Sequence, residues 1–141
     1  MQTFLPYADF TESAKTLDRL RLGKQRVEAK QICLSLASQS TSGWRNHPAV
    51  LMWKGYERAL ASYGLAMCRE WKNRGYQDSL ESWFVSLIKD ANHVALPPWL
   101  GNEEFHRSHR SNLLRKNREW YGRFGWTELD SLPYIWPVRK C

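Results

Sequence analysis

An all-α fold is predicted for this chain, on three observations. Apolar residues recur at spacings of three and four in several separate segments, no run alternates apolar and polar residues with the period of a strand, and the helical segments are parted by Gly, Pro and small polar residues. With 141 residues, 43% hydrophobic and 25% charged, one domain spanning 1–141 around one core is expected, with no second domain.

After an extended start that includes Pro6, the stretch from about Thr11 to Ala37 predicts a helix, with Gly23 as the point of interruption. Ser38 to Gly43 is a polar loop. His47-Pro48 opens a long helix, Pro being suited to a first turn, and Trp53, Tyr56, Leu60, Tyr63, Met67 and Trp71 mark its apolar side. Gly75 stops it. Asp78 is the candidate N-cap of a third amphipathic helix to about Asn92, with Leu80, Trp83, Phe84, Leu87 and Ile88 inward. Pro97-Pro98 ends that run. A short helix follows from about Ser108 to Lys116, then an extended tail, Leu132 to Pro137, laid over the core. Eight Trp are many for such a domain. Most belong in the core, Trp44 in the loop and Trp120 in the basic segment being the exceptions.

The formal net charge of +7 favours a polyanionic partner, and it concentrates in two places. Phe105 to Phe124 holds His106, Arg107, His109, Arg110, Lys116, Trp120 and Tyr121 among other cations and rings, with Glu119 as its one acid. Cations hold phosphates and exposed rings stack on bases, so nucleic acid fits this segment; a solvated basic helix ending in a buried aromatic cluster fits it as well. Lys15, Arg19, Arg26 and Lys30 fall within roughly 60° of one another on a continuous helix. Taken alone, that stripe is as readily a solvated face. With Arg45 and His47 it makes three basic groups that could converge on one DNA groove.

Other chemistries are disfavoured. His106-x-x-His109 lacks a third ligand at suitable spacing, so no metal is expected, and with no Gly-rich phosphate loop no nucleotide cofactor is expected either. Cys33, Cys68 and Cys141 are odd in number and without CxxC spacing, which argues against a disulfide framework or zinc ribbon. No apolar run is long enough to span a membrane, and Met1 to Pro6 lacks the pattern of a secretion signal. An intracellular, cytoplasmic monomer associated with DNA is expected.

Several short motifs, in the same order, resemble a known family. Leu22-Gly23-Lys24-Gln25-Arg26-Val27-Glu28 is similar to the segment carrying the Arg-Glu pair in pyrimidine-dimer DNA glycosylases of the phage endonuclease V type. Arg74-Gly75-Tyr76 resembles the end of that family's central helix, and Glu119-Trp120-Tyr121-Gly122 its C-terminal Trp-Tyr segment near DNA. The resemblance implies a compact helical enzyme that excises a damaged or modified pyrimidine from DNA and nicks the backbone by β-elimination. The implied nucleophile is the N-terminal α-amine, here that of Met1, since the large Gln2 should keep Met1 in place. The implied helpers are the carboxylate Glu28 and Arg26, with Lys15, Arg19, Lys30, Trp44, Arg45, His47, His106, Arg107, His109, Arg110, Lys116, Trp120 and Tyr121 against DNA. An ungapped match at Arg26 sets Val27 at the carboxylate position and Glu28 one residue, about 100° of helix, further on. A DNA- or RNA-binding module without catalysis is the alternative. Glu28, four residues from Lys24, also suits a plain surface ion pair.

Overall fold

The computed structural model describes residues 1–37, 46–90 and 93–137. Among them there are helices and no strand: α1 (Phe10–Thr16), α2 (Arg19–Ala37), α3 (Pro48–Leu51), α4 (Glu57–Asn73), α5 (Glu81–Ile88), α6 (Glu103–Lys116) and α7 (Arg118–Tyr121), then a 3₁₀ turn, Gly122–Phe124. The all-α expectation holds. Among the described residues no helix is long and apolar enough to cross a membrane.

The first helical stretch breaks at Leu17, whose ψ of 138° is extended, and not at Gly23. The cause is tertiary. The Tyr121 hydroxyl accepts from the Asp18 N–H at 3.0 Å and donates to the Asp18 carboxylate. Helix termini leave carbonyls without partners, and at the end of α1 they are satisfied from afar. Trp120 Nε1 donates to Thr16 O at 2.7 Å, and Arg74 donates to Ala14 O and Lys15 O. Gly23 lies inside α2, where an added β-carbon would stand 3.1 Å from the Trp71 ring. It permits close packing of α2 on α4.

The expected long second helix is likewise two, α3 and α4, joined by a turn through Gly55. Gly75, at φ 94°, ends the helical run in the left-handed conformation that glycine adopts without strain. The Asp78 carboxylate accepts from Leu80 N at 3.1 Å and Glu81 N at 2.7 Å, serving the first turn of α5 as expected, though α5 is shorter than 78–92. Helix α6 starts a turn earlier than its basic pattern indicated, because the Asn102 side chain caps Phe105 N at 3.0 Å. Inside the bundle α2 packs on α4, and α4 carries α1 and α5 on its other sides. The tail is irregular and bound to α6: Leu132 N donates to Ser111 Oγ at 3.0 Å, and Asn112 Nδ2 to Leu132 O at 3.0 Å.

Candidate active site

Residues 2–6 run through the middle of the molecule, all of them buried. A buried backbone cannot leave its polar groups unpaired, and with no neighbouring strand the partners are side chains. Gln25 of α2 accepts from Phe4 N at 2.9 Å and donates to Gln2 O at 2.9 Å. Tyr63 of α4 donates to Phe4 O at 2.8 Å, and Trp53 Nε1 to Thr3 Oγ1 at 3.1 Å. From α6, His109 Nδ1 accepts from Leu5 N at 3.0 Å. His106 Nε2 accepts from Gly101 N at 2.9 Å, so its proton sits on Nδ1 and is donated to Leu5 O at 2.8 Å. Arg110 adds a bond to Pro6 O at 2.7 Å. Each such bond contributes on the order of 1 kcal/mol, and the fan of them fixes where residue 1 emerges.

Met1 emerges into a cleft of about 520 Å³ that it lines with Leu20, Arg21, Lys24, Glu28, His47, Lys116, Tyr134 and Trp136, among others. That volume lies within the roughly 300–1,000 Å³ typical of ligand sites. Glu28 Oε2 accepts from Gln2 N at 3.3 Å and from Gln25 Nε2 at 3.0 Å. The carboxylate is thereby held one residue from the terminal amine. Val27 points outward, 45% exposed, so the one-residue offset seen in the sequence turns Glu28 toward the N-terminus.

Cations dominate the rim. Burial first, then repulsion from Arg21 and Arg115, lowers the Lys116 pKa. A bound anion would relieve that repulsion. His47 Nδ1 accepts from Ala49 N at 3.0 Å as the cap of α3, and its ring meets Trp136 edge-on with centroids 6.0 Å apart. Its pKa is lowered by burial and, next, by the positive N-terminus.

Of the residues expected from sequence to act together, Met1, Glu28, His47 and Lys116 meet in this cleft. Arg26 does not. Its guanidinium pairs with the Asp78 carboxylate and lies 4.6 Å from the Trp71 ring centroid, an anchor between α2 and the start of α5. The proposed stripe is divided: Lys15 belongs to α1 and pairs with Glu12 at 3.4 Å, Lys30 lies over Trp83, and Arg19 stays exposed on the groove beside the cleft.

The basic segment is turned inward more than its charge indicated. His106, His109 and Arg110 were expected to face DNA; they are buried and committed to residues 5 and 6. Burial drives the His109 pKa down to about 3 and also lowers that of His106. Arg110 is further paired with Glu103 and, at 3.0 Å, with Glu128. Arg107 is exposed, 3.6 Å from Glu128. Tyr121 is fully buried and Trp120 half-buried, both holding the α1–α2 junction where base stacking was expected. The rings that do border the cleft are Tyr134 and Trp136 of the tail. Trp44 and Arg45 lie outside the described residues, as does Cys141.

Cys33 and Cys68 are buried free thiols, with pKa values raised chiefly by burial, that of Cys33 to about 12. They are poor nucleophiles. Among the described residues no group of three or more His, Cys, Asp or Glu could hold a metal ion. The sequence pattern singled out Lys24 only as an ion-pair partner of Glu28 and passed over Arg21, although with Glu28 they follow spacings of three and four that put them on one face of α2.

The class so defined is a small all-α protein whose N-terminus opens into a cationic, aromatic-walled cleft. A family model described as pyrimidine dimer DNA glycosylase matches residues 1–83, more than half of the chain, and the chain belongs to that family. No curated protein and no solved structure matches it. The matched segment carries Met1, Lys24 and Glu28; Lys116, Tyr134 and Trp136 come from beyond it.

Proposed function

We propose that this protein removes a damaged or modified pyrimidine from duplex DNA as a monomer, using the Met1 α-amine as nucleophile and Glu28 as its carboxylate partner. The observation that carries the reading is the meeting of Met1 and Glu28 in one cleft, with Gln2 N–H bonded to Glu28 Oε2. An α-amine as a class titrates about two units below lysine, so more of it is unprotonated and nucleophilic at neutral pH.

The neutral amine attacks the sugar C1′, and the C1′–N1 bond breaks with its electron pair leaving on the base, which takes up a proton. The amine's first proton goes to the departing base, and as the sugar ring opens its second goes to the released O4′, leaving an imine at C1′. Glu28 stabilises the cationic sugar and then accepts a proton from C2′, which expels the 3′ phosphate by β-elimination. Water hydrolyses the imine and returns the amine. Arg21, Lys24 and Lys116 hold flanking phosphates, and Arg19 extends that surface.

The reading is tested by single-turnover excision on duplex DNA bearing a cyclobutane dimer. Wild type is expected to cut, and Glu28→Gln to lose roughly 10²–10⁴ in rate while binding the same DNA at similar affinity. Salt-sensitive binding without excision by wild type would favour the non-catalytic module.

A further inference from the structure

We propose that Gln25 is a positioning residue for Glu28: its amide ties Glu28 Oε2 down, so that Oε1 is the oxygen that accepts the C2′ proton. The inference rests on the glycosylase reading and deepens it. Gln25 is buried, and every hydrogen-bonding group of its amide is engaged. Nε2 donates to Gln2 O at 2.9 Å and to Glu28 Oε2 at 3.0 Å. Oε1 accepts from Phe4 N at 2.9 Å and from the Tyr63 hydroxyl, which shares its proton with Phe4 O. An amide turned the other way would set its oxygen against two acceptors and its NH₂ against the Phe4 N–H. The donor end is therefore fixed toward Glu28.

The two groups that Gln25 holds depend on it unequally. Residues 3–6 are also held by Trp53, Tyr63, His106, His109 and Arg110. Glu28 has far less. Among the described residues its carboxylate is bonded by Gln2 N at 3.3 Å and by Gln25 Nε2 at 3.0 Å, and both bonds fall on Oε2. The Gln2 bond lies beyond the usual range of about 2.7–3.2 Å. Without the Gln25 amide the carboxylate keeps that long bond alone and gains rotamer freedom, while the strand stays threaded through the bundle. A general base must sit within hydrogen-bond reach of the proton it takes, and a displacement of about 1 Å can cost about 10²-fold in rate. Gln25 thus acts on the reaction through the aim of Glu28 more than through the placing of Met1.

The test uses duplex DNA carrying an abasic site, on which imine formation needs the amine and strand cleavage also needs the carboxylate. Gln25→Met should still be trapped by borohydride on Met1 at near the wild-type rate, yet nick the same DNA at least about tenfold more slowly. The loss should not add to that of Glu28→Gln: the double variant should nick no more slowly than Glu28→Gln alone. Gly64→Ala, which crowds the Phe84 ring between α4 and α5, is the control for lost stability; it should unfold at lower urea and nick at the wild-type rate. Gln25→Asn, which keeps an amide but draws it back from Glu28, should show the same split between trapping and nicking, and decides the matter where Gln25→Met does not fold. Nicking by the Gln25 variants at the wild-type rate, additive losses in the double variant, or trapping and nicking that fall together would overturn the positioning role. A wild-type protein that forms no imine on Met1, or a Glu28→Gln variant that nicks as fast as wild type, would instead refute the glycosylase reading on which the inference rests.

Discussion

Protonation of His109 should release the segment that carries Met1. His109 Nδ1 accepts the Leu5 N–H at 3.0 Å, a bond the imidazolium cannot accept. Burial holds the folded pKa at about 3 against 6.5 for the ordinary group, so between those values the unfolded chain binds a proton that the folded chain does not. Stability therefore falls as pH is lowered through this window and is recovered above pH 6.5. At 1.36 kcal/mol per unit, His109 alone costs about 2 kcal/mol at pH 5 and about 4 kcal/mol by pH 3. His106, whose pKa is also lowered by burial, adds to the loss in the same direction: the imidazolium keeps its bond to Leu5 O but cannot accept the Gly101 N–H. Urea unfolding followed by tryptophan fluorescence, at pH 7.5 and pH 5, reads the difference. Wild type should lose about 2 kcal/mol more than His109→Gln over that interval, and the His109 ring of wild type should not titrate by NMR above pH 5. An equal loss in both proteins, or a His109 titration near 6.5, would refute the reasoning.

Other substitutions separate anchor from site. Arg26→Ala should destabilise by about 3–5 kcal/mol, because it leaves the buried Asp78 carboxylate without its countercharge; under conditions where the variant is folded, excision should proceed at near the wild-type rate. Lys116→Ala should weaken DNA binding and reduce the slope of log K against log salt by roughly one, with unfolding unchanged. Gly64→Ala should cost about 1–3 kcal/mol in urea unfolding, since the new β-carbon would fall 2.4 Å from the Phe84 ring and force α4 and α5 apart.

The helical class was legible because period and breakers agree along the chain. What the sequence hid was depth and distant hydrogen bonding. The break at Leu17–Asp18 has no glycine or proline to announce it, being made by Tyr121 and Trp120 more than a hundred residues away. Gly23 carries the composition of a breaker but answers to the bulk of Trp71. His106, His109 and Arg110 look like a nucleic-acid surface because their charge is visible and their partners, the backbone of Leu5 and Pro6, are not local. Glu28 was a candidate only through the resemblance, and its orientation depends on Gln25, which orders both the carboxylate and residues 2–4.

The central claim is that the Met1 amine is the nucleophile. Borohydride trapping of tag-free protein on duplex DNA carrying a cyclobutane dimer or an abasic site, with the attached residue mapped by mass spectrometry, tests it most directly. The account predicts a covalent adduct on Met1 that is abolished by N-terminal acetylation. An adduct on a lysine, or excision that proceeds with an acetylated N-terminus, would contradict it.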